Sequence, residues 1–156
     1  RAAIGGWQLS GISTFQSGGP FTVGFPGDPA ECGCGNYRAN IIGNPNAGSG
    51  IHTAQEWFNT AAFAPIPTGQ FGNGARDMVY GAGINDFDIS LFKNFTKIPL
   101  PGKSEGATLQ FRAEFFNVFN HTQFNGYLAT FGTAGFGEPN STRDPREIQL
   151  GLKLMF

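Results

Sequence analysis

Four stretches of this chain alternate apolar and polar residues at every second position, and each holds the pattern for roughly 9 to 12 residues. A period of two places successive side chains on opposite faces of a β-sheet. Globular strands usually run about 5 or 6 residues, whereas a tilted strand needs about 9 to 11 to cross a hydrocarbon layer. In EIQLGLKLMF (147–156), Ile148, Leu150, Leu152, Leu154 and Phe156 share one face, with Glu147, Gln149, Gly151 and Lys153 on the other. In TLQFRAEFFNVF (108–119), Leu109, Phe111, Ala113 and Phe115 oppose Gln110, Arg112 and Glu114. NDFDISLFKNF (85–95) sets Phe87, Ile89 and Leu91 against Asp86, Asp88, Ser90 and Asn94. WQLSGISTF (7–15) sets Trp7, Leu9, Gly11, Ser13 and Phe15 against Gln8, Ser10, Ile12 and Thr14.

The placement of charge tells which face meets which solvent. Arg112 and Glu114 lie in mid-strand, where they would be costly toward lipid and natural toward a watery lumen. Charged residues make up only 13% of the chain, against about a quarter in soluble domains. High Gly (24) and Phe (17) suit many turns between aromatic-bearing strands. The pattern predicts an all-β fold, a transmembrane antiparallel β-barrel with its apolar stripe outward. Four strands cannot close a barrel, and open edges in hydrocarbon leave backbone groups unpaired, so further upstream strands are expected. A net charge of −1 offers no field for nucleic acid. No run of eighteen apolar residues exists to form a transmembrane helix. RAAIGGWQLSG at the start has no signal-peptide features, as expected of an internal fragment.

The spacing predicts strands near 4–16 (extending to 25), 85–96, 107–119 and 146–156. The extension rests on Phe21, Val23 and Phe25, which keep the parity of the first strand. TKIPLPGKSEGA gives a modest turn near 97–106, and long Gly-, Pro- and Asn-rich loops fill 26–84 and 120–145. Membrane barrels put short turns on the periplasmic side and long loops outside. With Phe156 at the periplasmic end, in an aromatic girdle, both long connections fall on the cell exterior. One helical turn is expected within TAQEWFNTAAFA (53–64).

Residues that could carry chemistry are few. Cys32 and Cys34 are too close for an unstrained disulfide, and two thiols alone do not complete a zinc site. A turn with two small residues, sometimes oxidised, is the plainer reading; a redox or metal site is the other. His52 and His121 fall in different loops with no ligand partners beside them. Asp88, Arg112, Glu114 and Lys153 are expected to form a lumenal charge network, with Glu114 between the cations and its removal costing stability. Trp57, Phe58 and Phe63 are candidate ligand contacts in the large loop, although packing upon themselves is the favoured role. No GxSxG, HExxH, Walker or dinucleotide pattern occurs where a strand-to-helix turn could use it. The chain therefore reads as a non-enzyme with no cofactor or metal.

WQLSGISTFQSGGPFTV (7–23), YRANIIGNP (37–45), WFNTAAFAP (57–65) and FGNGARDMVYGAGINDFDISLFKNF (71–95) form a familiar series. LQFRAEFFNVFNHTQFN (109–125) and RDPREIQLGLKLMF (143–156) continue it. Together they resemble the C-terminal barrel region of TonB-dependent outer-membrane receptors, especially the Oar-like group with a carboxypeptidase-regulatory-like domain. The resemblance implies a barrel of about 22 strands, of which these are the last four or so. It implies a separate plug domain, coupling to the TonB complex through a missing N-terminal part, and a transported ligand of unknown identity. It also implies that the stripe Ile148, Leu150, Leu152, Leu154 and Phe156 serves as the signal read by the barrel assembly machinery. On this reading the chain supplies closing strands and ligand-entrance loops in the outer membrane, in contact with its lipid. A soluble secreted β-rich adhesion or glycan-binding module and a passive porin-like channel are the alternatives.

Overall fold

The computed structural model describes residues 5–101 and 103–156. Its strands are β1 (Trp7–Gln16), β2 (Pro20–Phe21), β3 (Gly24–Phe25), β4 (Tyr37–Arg38), β5 (Asn40–Ile41), β6 (Phe63–Ala64) and β7 (Val79–Tyr80), then β8 (Ile84–Leu100), β9 (Lys103–Phe116), β10 (Phe124–Tyr127), β11 (Pro139–Thr142) and β12 (Glu147–Met155). A 3₁₀ turn at Thr60–Ala62 falls inside the stretch expected to turn helically. The chain is all-β, and no described helix is long and apolar enough to cross a membrane. Two units result. A sheet unit contains nearly all of the four long strands, and a loop unit is made of Gln16–Ile84 and Gln123–Arg143.

The sheet unit is one four-stranded sheet in the order β1-β8-β9-β12. β9 and β12 pair without a break from Glu147–Phe116 to Met155–Thr108. β8 pairs antiparallel with β9 from Ile89–Phe115 onward. Opposed residues share a face, so Ile148, Phe115 and Ile89 form one row and Leu150, Ala113 and Leu91 the next. Across the other face run Gln149, Glu114 and Ser90, then Lys153, Gln110 and Asn94. β1 and β12 form the margins, with no further neighbouring strand among the described residues.

The strand limits differ from the sequence expectation in three places, each with a physical cause. β8 and β9 run past the expected turn at 97–106, and the pair Leu100–Lys103 closes the hairpin. Two register shifts fit the strands together: β8 advances three positions from Phe95 to Ile98 while β9 advances two, and then β8 advances two to Leu100 while β9 advances four. Lys97 and Gly106 both take positive φ there, and a Cβ on Gly106 would stand 3.0 Å from the Ile98 carbonyl oxygen. β1 does not extend to residue 25. It stops at Gln16, after which Pro20–Phe21 pair with β7 and Gly24–Phe25 with β4. Gly18 makes this departure possible, because a Cβ on it would sit 1.8 Å from the Gly81 carbonyl oxygen. β9 ends at Phe116, not 119, because Asn117 turns at φ 47 and its side-chain amide donates to the His121 and Asp144 carbonyls.

The loop unit is built on different terms. Val23, Ala39, Phe58, Ala62, Phe63 and Val79 form a buried core, with Phe21, Trp57 and Phe136 packed against it. Short pairings stitch the surface: β2 with β7, β3 with β4, β5 with β6 and β10 with β11. Side chains of Asn and Glu satisfy much of the remaining backbone. Asn46 Nδ2 donates to the Met78 carbonyl at 2.7 Å, and Asn59 Nδ2 to that of Ala47 at 3.0 Å. Glu56 Oε1 accepts from both Thr60 N–H and its hydroxyl. A loop rich in Asn and Gly reaches order this way because its polar side chains replace a regular ladder.

Candidate functional site

The stripe expected to act as an assembly signal lies on the exposed face of β12. Leu150 and Leu152 are 69% and 72% exposed, and Ile148, Leu154 and Phe156 are exposed as well. These are apolar side chains without a protein core over them, the arrangement a lipid-facing surface requires.

The four charges proposed for a lumenal network do not come together. Arg112 and Glu114 meet at 3.4 Å, two positions apart on the same strand. Register keeps the others away. Lys153 stands opposite Gln110, Gln149 opposite Glu114, and Ser90 and Phe92 opposite Glu114 and Arg112. The Arg112 guanidinium lies over the Phe92 ring at 4.9 Å. Asp88 instead accepts the Asn117 N–H at 3.0 Å and so fixes the end of β9. Glu114 therefore does not lie between two cations. Lys93, which the alternation places on the apolar face with Phe111 and Leu152, is nearly fully buried. Its ammonium donates to the Gly5 carbonyl and lies 4.9 Å from the Trp7 ring centre, so aromatic and backbone partners shelter the charge.

The three loop aromatics have separate fates. Phe58 and Phe63 are 1% and 6% exposed and meet edge-to-face with centroids 5.8 Å apart. Neither presents a ring to solvent, so both belong to packing rather than ligand contact. Trp57 is half-buried, donates Nε1–H to the Tyr80 carbonyl at 2.9 Å, and touches the rings of Phe124 and Tyr127.

Beside Trp57's partners the loop unit opens a cleft of about 400 Å³, within the usual range for small-molecule sites. Phe21 and Tyr127 stack nearly parallel on its wall, centroids 4.9 Å apart. Burial raises the Tyr127 phenol above its ordinary pKa, and its oxygen accepts the Ala82 N–H. Phe124 adds a third ring, and Gln16, Asn125 and Arg143 supply polar ends. Among the described residues no Asp or Glu lines the cleft. Arg143 donates its backbone N–H to the Gln123 carbonyl at 2.8 Å, which holds the residue at the rim. Its guanidinium has no ion pair among the described residues.

Sequence reasoning did not assign Phe21, Phe124, Tyr127 or Arg143 to a site. They come from 16–22 and 124–143, segments that the Gly24–Ala129 and Phe131–Gly24 backbone hydrogen bonds and the Phe21–Tyr127 stack bring together. A local signal does exist: the aromatic-Asn-Gly-aromatic run FNGY, with STR following the next turn.

Cys32 and Cys34 are joined by a disulfide, the oxidised form of the turn, with Cα atoms 5.3 Å apart. The loop accommodates the closure because Asp28 takes the N–H groups of Cys32 and Gly33 at 3.2 and 2.8 Å and the Tyr37 hydroxyl. These bonds, the phenol's first, hold the Asp28 carboxyl below the usual range, while the same bond raises Tyr37. Among the described residues no group of three or more His, Cys, Asp or Glu side chains could hold a metal.

A protein-family model described as an outer membrane beta barrel domain matches residues 1–149. No curated protein sequence and no solved structure is significantly similar to the chain.

Proposed function

Because this chain belongs to the outer membrane beta barrel domain family and so localises to the outer membrane, we propose that it is part of a TonB-dependent receptor or transporter. Its four long strands contribute to the barrel wall, with Leu150, Leu152 and Leu154 toward lipid and Gln110, Arg112 and Glu114 toward the lumen. The long connections lie on the cell exterior and the β8–β9 hairpin in the periplasm. Further strands pair with the margins formed by β1 and β12, and a plug domain fills the barrel. The β12 stripe is the surface that the assembly machinery reads.

The observation that carries this reading is the loop unit. The long connections build a packed core of their own with a cleft of ligand size, which suits recognition of a ligand. The motif series from WQLSGISTFQSGGPFTV to RDPREIQLGLKLMF supports the receptor over a soluble adhesion module, as does the exposed apolar stripe.

Energy dependence tests it. Cells bearing the complete receptor should accumulate its cargo only with an intact TonB complex and a proton-motive force. Equal uptake after either is removed would replace this reading with the porin-like channel.

A further inference from the structure

We propose that the cleft between β2, β10 and the segment after β11 is a binding site for a small organic carboxylate with a planar apolar body. The inference rests on the receptor reading, since it names the class of ligand met at the entrance. Three observations point to it. Arg143 is the one charged residue among the described residues that line the cleft, and no Asp or Glu among them stands beside it. Arg143 has no ion pair among the described residues. Its fork of donors matches a carboxylate in two parallel hydrogen bonds, which a point charge would not provide.

The rest of the wall suits the body of such a ligand. Phe21, Phe124 and Tyr127 present aromatic surface, and Phe21 and Tyr127 are held rigid by stacking on each other. Trp57 braces the group from behind through Phe124 and Tyr127, so the rings need not reorganise on binding. Asn125 accepts the Ser141 hydroxyl at 2.6 Å, which orients its amide Nδ2–H₂ as a further donor at the rim. A cation would meet Arg143 with repulsion. A neutral isostere would forgo the charge-assisted pair of hydrogen bonds that a carboxylate makes.

The test is titration of the complete receptor, in detergent, with benzoate, benzamide and benzylamine as probes. Benzoate should bind about tenfold or more tightly than benzamide, and benzylamine should not bind. Arg143→Gln should lower benzoate affinity by about tenfold without changing its affinity for benzamide, and Arg143→Lys should recover part of the loss. The heat-dependent gel shift of the folded barrel reports that each variant is assembled. Should Arg143→Lys alone assemble, a loss of benzoate affinity smaller than threefold overturns the site. Equal binding of benzoate and benzamide overturns it too, as does Arg143→Gln binding benzoate like the parent. The titration contains no TonB complex, so its outcome is independent of whether import is energised.

Discussion

Leu152 of β12 and Phe58 of the loop unit are both large apolar side chains, yet the first is 72% exposed and the second 1%. In the sheet unit apolar rows cover a surface, and polar residues line the reverse face. In the loop unit Phe58 and Phe63 are hidden, and most Gly residues meet water. One sequence therefore serves two solvents. A soluble fold gains from removing apolar surface from water, and that gain explains the loop core. It gives no reason for the β12 stripe, which becomes favourable only with hydrocarbon beside it.

The largest expected effect separates the two units directly. Phe58→Ala should destabilise the loop unit by about 3–5 kcal/mol through lost burial and a residual cavity. Amide exchange should rise across β2, β5, β6 and β7 while the β9–β12 ladder keeps its protection. Simultaneous loss in both units would mean that they unfold as one body. Next in size, Leu150→Arg should cost about 2–4 kcal/mol in a bilayer, read from urea unfolding of the receptor in vesicles. If the variant unfolded at the parental urea concentration, the exposed stripe would not be facing lipid.

Smaller still, Glu114→Ala should change stability by about 1 kcal/mol or less, and less again at high salt. Its one ion pair, to Arg112 at 3.4 Å, is part-exposed. A larger loss in the same unfolding assay would require further partners for Glu114. The smallest effect is a pH response confined to the turn around Cys32. Asp28 has a folded pKa below its unfolded value of about 3.9, so its contribution is present above that value. It is lost as pH falls through the lowered folded value. Exchange at the Cys32 and Gly33 amides should rise there, and Asp28→Asn should remove the pH dependence.

The sheet was legible because alternation is a local property: Leu150, Leu152 and Leu154 disclose their common face wherever the strand is placed. Strand ends were less legible. Gly18, Gly106 and Asn117 redirect the chain through close approaches and positive φ that a two-residue period does not encode. The charge network failed for a related reason. Parity assigns Asp88, Arg112, Glu114 and Lys153 to one face, but only register decides which residues stand opposite. Lys93 shares the parity of Phe87, Ile89 and Leu91, yet its shelter depends on Trp7 from another strand. The cleft was the least legible feature, because two separate connections must fold together before Tyr127 and Arg143 line the same hollow.

The outer strands of the sheet impose an order of events on biogenesis. Among the described residues β1 and β12 each pair with one strand, and until further strands join them such an edge accepts any extended chain it meets. Between translocation and insertion these strands must therefore be kept from mating with copies of themselves. Timing, as much as affinity, decides whether the nascent barrel matures or clumps.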